Sequence, residues 1–301
     1  MCNLVVLAIL GFVAELVDGS LGMAYGVTST TLLISVAALS PALASTVVHI
    51  SEVGTTAASG LSHWRFGNVD WDKILWIGIP GGIGAFLGAV VLVEVISAAA
   101  AEPLVAIFLF LLGGYVLARF AFNRTAEIVQ NLPISRKFLS PLGLVAGFLD
   151  AAGGGGWGPI STPTLLSSGR MEPRKVVGTV DTSEFIVALS ASVGFLISLS
   201  FAEVPWGVVG ALLAGGLVAA PIAAWFVRHL NARVLGTAVG GFILLVNANT
   251  FLDAIGVSGA PAVIVYVAIV VAWSVGLFFA ISAIRRERKP VIEAKPEASE
   301  A

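Results

Sequence analysis

The chain has 301 residues, 57% of them hydrophobic and only 11% charged, with a net charge of −2 and a mean hydropathy of +0.99. Soluble domains carry roughly a quarter charged residues, so this chain has too few polar groups to cover a water-facing globule and reads as dissolved in lipid. The weak negative charge excludes a nucleic-acid partner held by bulk electrostatics, and a single cysteine, Cys2, excludes an internal disulfide and a cysteine-ligated metal centre.

Apolar stretches follow one another at about 3–18, 22–39, 42–62, 73–98, 103–122, 138–152, 155–169, 173–201, 205–227, 232–252 and 260–284. About 20 residues are needed to cross a hydrocarbon core. The first run has no basic leader and reaches Glu15 and Asp18, so it reads as part of the mature protein and not as a cleaved signal peptide. The runs flanking Asp18 and Asp150 fall short of spanning length, and the glycines between them mark breaks within paired half-helices.

Lysine and arginine in short loops stay in the cytoplasm. Here they cluster at Arg65 and Lys73, at Arg119, Arg124, Arg136 and Lys137, at Arg170, Arg174 and Lys175, at Arg228 and Arg233, and from Arg285 to Lys289. The segments near 40, 98–102, 201–205 and 253–260 have none and are placed outside. The stretch between Lys137 and Arg170 then enters and leaves from the cytoplasm, while residues 1–39 do so from outside, with the N-terminus outside and the C-terminus cytoplasmic.

An ungapped internal match at an offset of about 132 residues relates positions 11–53 to 143–185. It aligns Asp18 with Asp150, Gly22 with Gly154, Gly26 with Gly158, Ser29-Thr30 with Ser161-Thr162, Pro41 with Pro173 and Ser51-Glu52 with Ser183-Glu184, while Tyr25 faces Trp157. The expected architecture is an all-α polytopic membrane protein with an inverted-topology repeat. It comprises a first transmembrane repeat over 1–122, a cytoplasmic connector over 123–137, a second, inverted repeat over 138–252, an additional transmembrane helix over 253–284 and a cytoplasmic tail over 285–301. Each repeat holds a broken or re-entrant hairpin followed by three or more transmembrane helices.

The two glycine-rich tips, Asp18 to Gly26 and Asp150 to Gly158, free backbone N–H groups that can hold an anion where a half-helix begins. Gly22, Tyr25, Gly26, Ser29, Thr30, Gly154, Trp157, Gly158, Ser161 and Thr162 are therefore the candidate substrate residues. The competing reading is helix packing by glycine and back-bonding of hydroxyls to their own helices. No Lys-Ser/Thr follows Gly153 to Gly156, so this is not a phosphate-binding P-loop.

His49, Ser51 and Glu52 lie about ten residues beyond Pro41, and Asp181, Ser183 and Glu184 at similar depth beyond Pro173, both mid-membrane. Ionisable residues persist there in substrate paths or proton relays. With Asp18 and Asp150 they form a coupling or tip-positioning set, in which Glu52 and Glu184 either exchange protons or cap the broken hairpins. His49 is the one obvious cationic group. The segment His63 to Trp71 reads as an interfacial anchoring belt, and Gly84 with Gly88 as a helix-packing pair.

These residues resemble the TauE/SafE sulfite exporter family. The likeness rests on Glu15 to Thr30, on His49-Ile50-Ser51-Glu52 with Ser62-His63-Trp64, and on Leu149 to Pro159 with Ser183-Glu184-Phe185, and runs from about Val5 to about Ile284. It implies a secondary transporter in the bacterial inner membrane whose partners are a small sulfur-containing anion and the lipid bilayer, moving sulfite or a related oxyanion or organosulfonate, usually outward. No cofactor and no metal site is expected, and a homodimer is the default for a homo-oligomer. Two rivals are a cation transporter using the buried carboxylates and an intramembrane protease; for the latter no convergent nucleophile, base and oxyanion donors are visible.

Overall fold

The structure, a computed structural model, describes residues 4–122, 134–168, 170–226 and 232–287. Most of the expected connector (123–133), the tail beyond 287, and Arg124, Arg228 and Lys289 lie outside the described residues. Among those described there is no strand, and the helices are α1 (Leu4–Leu21), α2 (Tyr25–Ser35), α3 (Pro41–Arg65), α4 (Trp71–Val90), α5 (Ala98–Phe122), α6 (Arg136–Gly153), α7 (Trp157–Ser167), α8 (Pro173–Ser198), α9 (Trp206–Phe226), α10 (Ala232–Ala254) and α11 (Ala260–Glu287). A wider π-helical turn, Val91–Val95, extends α4. The last helix runs to Glu287, so the expected tail boundary at 285 falls inside it.

Among the described residues, six helices are long and apolar enough to cross a membrane. By contrast α2 and α7 have 11 residues each, about 16 Å at 1.5 Å per residue and roughly half a hydrocarbon core. Sequence sets these ends plainly. Ser40 caps α3 by accepting from the Leu43 N–H, Pro41 fits the first turn, and Pro173 does the same for α8.

The molecule is apolar outside and encloses polar helix faces within a largely apolar interior. On α4, Leu75, Ile79, Ile83 and Leu87 recur every fourth residue on the exposed face, while Ile77, Gly81, Gly84 and Gly88 face inward. On α3 the buried face is instead Ser45, His49, Glu52, Thr56, Ser59 and His63, and α8 presents Thr179, Asp181, Ser183 and Glu184. Such a polar stripe stays in a membrane only when buried in protein or facing a cavity.

Packing follows the repeat: α1 lies on α9 as α6 lies on α4, α3 on α9 as α8 on α4, and α3 meets α8 and α5 meets α10 across the middle. Glycine permits the closest of these contacts. A Cβ on Gly147 would strike the Gly81 carbonyl, and one on Gly84 the Leu144 carbonyl, which gives Gly84 and Gly88 their expected packing role between α4 and α6.

Candidate functional site

Each tip is built by the same device. At the first, α1 ends at Leu21, Gly22 and Ala24 take positive φ (65° and 99°), and the Tyr25 N–H that opens α2 donates to Asp18 Oδ1 at 3.2 Å. At the second, Gly154 and Gly155 take positive φ (73° and 140°), and the N–H groups of Gly156 and Trp157 donate to Asp150 Oδ1 at 2.7 and 3.0 Å. An aspartate in the last turn of one half-helix thus caps the next, where the helix dipole favours negative charge. The carboxylates that cap the hairpins are Asp18 and Asp150; Glu52 and Glu184 make no bond to a tip N–H among the described residues.

The tips converge. The Thr162 hydroxyl donates to the Gly22 carbonyl at 2.5 Å, and a Cβ on Gly155 would strike the Gly26–Val27 backbone, so the two loops pack main chain against main chain. All ten candidate substrate residues are buried. Trp157 is fixed by an Nε1–H bond to the Val180 carbonyl at 3.1 Å, whereas the Tyr25 hydroxyl is buried beside Ser51, Glu15 and Glu52 without a hydrogen bond.

Hydroxyls around the site divide into two groups. Thr46, Ser51, Thr56, Thr164, Thr182 and Ser190 bond carbonyls one turn back on their own helices, and Ser183 bonds the Val180 carbonyl. Ser29, Thr30 and Ser161, just beyond the tips on α2 and α7, are fully buried with no partner. The back-bonding reading therefore fits Ser51 and Ser183 and does not fit these three. Buried polar atoms are nearly always satisfied, so unpaired donors grouped at one place point to a ligand.

The third helix of each half serves the opposite tip. His49 on α3 reaches Asp150 (Nε2 to Oδ2, 3.0 Å) while Ser45 donates to the Ala151 carbonyl at 2.9 Å. Asp181 on α8 lies with Glu184 at Asp18, one oxygen of each within 4.8 Å of the others. Glu52 lies between the tips, beside His49, Asp150 and Asp18.

Sequence reasoning missed two members. Glu15, given no role in the site from sequence, is buried one turn before Asp18 beside Thr55 and Ser59; its i, i+3 spacing to Asp18 was the available signal. His63, placed in the interfacial belt, is instead fully buried, bonding the Gly19 carbonyl at 3.0 Å and the Asn68 amide at 3.2 Å. Trp64 and Trp71 do form an exposed edge-to-face pair. Asn247, unassigned from sequence, ties α10 to α2 through Thr31 at 3.0 Å. A cavity of about 530 Å³ lies between α3, α4 and α8, with Thr56, Gly60, Trp64, Trp71, Thr182 and Ile186 among its walls and no tip residue lining it.

Apolar helices outside, buried polar helix faces and paired broken helices define a multi-pass membrane protein of the transporter class. The chain matches the family described as Sulfite exporter TauE/SafE over residues 7–250 and belongs to it. It is 52% identical over 285 residues to the "Probable membrane transporter protein YtnM" of Bacillus subtilis (strain 168), a match covering 94% of this chain and 94% of that relative. No solved structure matches it. Both comparisons indicate a transporter rather than an enzyme.

Proposed function

We propose that the chain exports sulfite or a related sulfur oxyanion or organosulfonate across the bacterial inner membrane by alternating access. The two halves, 1–122 and 138–252, are inserted in opposite orientation, with the N-terminus outside and the C-terminus cytoplasmic, an arrangement supported by the clustering of basic residues. The substrate sits between the tips, against Gly22, Tyr25, Gly26, Ser29 and Thr30 from one half and Gly154, Trp157, Gly158, Ser161 and Thr162 from the other. The observation that carries this reading is the set of buried, unpartnered hydroxyls on Ser29, Thr30 and Ser161. Because Asp18 and Asp150 already accept first-turn N–H groups, these hydroxyls, with that of Tyr25, are free to donate to an oxyanion. Glu52 carries protons in step with substrate; the titratable groups facing it are His49 on its own helix, Asp18 on α1, Tyr25 on α2, Asp150 on α6 and Glu184 on α8.

Vesicles reconstituted with the protein and loaded with labelled sulfite test the reading. Efflux is expected well above that of protein-free vesicles, and Ser161→Ala or Ser29→Ala should weaken it by about tenfold, the value of one hydrogen bond to a charged group. Sulfite efflux equal to that of empty vesicles, with a monovalent cation moving instead, would end the anion reading.

A further inference from the structure

The repeat is chemically uneven among its buried ionisable residues, and Glu15 has only Gly147 opposite it. Its offset aligns Asp18 with Asp150 and Glu52 with Glu184, but sets His49 against Asp181. At the second tip the result is balanced: both ring nitrogens of His49 face oxygen acceptors, the Ser45 carbonyl at 2.8 Å and Asp150 Oδ2 at 3.0 Å. An imidazolium fills that pattern with two N–H donors and sets a positive charge beside Asp150 and Glu52.

At the first tip the corresponding pair is Asp181 with Asp18, acid against acid. Glu184 joins them, with one oxygen from each of the three within 4.8 Å of the other two, and Glu15 approaches from α1. His63 is the base nearest to Asp181, 3.8 Å away, but it brings no charge to the group. Its Nε2–H donates to the Gly19 carbonyl and its Nδ1 accepts from the Asn68 amide, the bonding pattern of a neutral ring. On α8, Arg174 and Lys175 lie more than one helical turn before Asp181, and α1 has neither residue type.

A separate side chain points into the group from α3. The Ser59 hydroxyl is 0% exposed and faces Asp181 and Glu15 without a geometry that makes a hydrogen bond to either. Both Asp181 oxygens, Asp18 Oδ2 and Glu184 Oε2 are likewise buried and unbonded. Carboxylate and hydroxyl oxygens with no sulfur or free nitrogen suit a hard cation. Complete burial leaves no room for the waters that magnesium retains, and one oxygen from each of the three carboxylates with the Ser59 hydroxyl falls short of the six to eight oxygens that calcium takes.

We propose that Asp18, Asp181 and Glu184, together with the Ser59 hydroxyl, form a sodium-binding site, in which the ion stands where the His49 ring stands at the other tip. Occupied, it offsets part of the excess negative charge at the first tip. The role of this ion in coupling rests on the transport reading above; its binding needs no substrate.

The test is binding of radiolabelled sodium to the purified full-length protein in lipid nanodiscs, in mildly alkaline choline buffer without any sulfur anion. Saturable binding is expected, weakened by about tenfold or more in Asp181→Asn, since even groups behind metal ligands cost that much. Asp181→His, which copies the second tip, should bind no sodium yet melt without it at the temperature the unchanged protein reaches with it. Absence of saturable binding in the unchanged protein, retention of full binding in Asp181→Asn, or displacement of sodium by calcium at far lower concentration would each overturn the assignment. Sulfite efflux from the same preparation separates the two readings. Sodium binding without sulfite movement keeps this site and ends the sulfite assignment; sulfite movement without sodium binding does the reverse.

Discussion

Asp150 accepts two tip N–H groups on one oxygen and faces His49 with the other, whereas Asp18 accepts a single, longer bond. Removing one partner of a buried ion pair costs about 3–5 kcal/mol, against ~1 kcal/mol for a lost cap. Asp150→Ala should therefore destabilise the protein by several kcal/mol more than Asp18→Ala when both are unfolded by detergent titration in sodium-free buffer; equal losses would remove His49 from the account. Glu52 has no hydrogen-bond partner for either oxygen. Glu52→Gln keeps its shape and removes its proton exchange, so the pH profile of sulfite efflux should flatten, while an unchanged profile would leave Glu52 a structural role. At this scale the sequence was half legible. Asp18, His49, Glu52, Asp150, Asp181 and Glu184 stand out because ionisable groups are scarce in apolar runs. That Asp181 belongs to Asp18 and His49 to Asp150 depends on helices brought together across the repeat, which no local spacing encodes.

Helices and their breaks were the most readable level, since every apolar run ends at glycine, proline or a polar cluster. The structure moves most boundaries by only a few residues, as in α3, which continues past the expected end at 62 to Arg65. What the glycines do individually was not readable. Gly155 has φ of 140° and its Cβ would strike the Val27 N–H and the Gly26 carbonyl carbon, whereas Gly67 has φ of 71° with open space around it. Gly67→Ala is thus expected to show only the backbone strain of about 1–2 kcal/mol. Gly155→Ala should add the steric clash between the loops, lowering the melting temperature further and abolishing efflux. Similar melting temperatures for the two variants would mean that the loops separate without loss.

For the whole molecule, the exposed surface is apolar where a soluble protein's is charged, and composition alone announced this. The proposed orientation rests on charge rather than on packing, and impermeant thiol labelling of single cysteines in a Cys2→Ser background checks it. Ser258→Cys, exposed after α10, should label from outside intact cells; Ser135→Cys, exposed at the start of α6, should label only after the membrane is opened. The reverse pattern would turn the exporter geometry upside down. The exchange of long helices between halves has a mechanical consequence. With Ser45 and His49 of α3 fastened to the second loop, and α8 set against the first through Asp181, neither loop can shift without dragging the main lever of the opposite half. In the alternating-access cycle proposed above, the Thr162–Gly22 bond is the expected pivot, so that a gap widening toward one side would be geared to a gap narrowing toward the other.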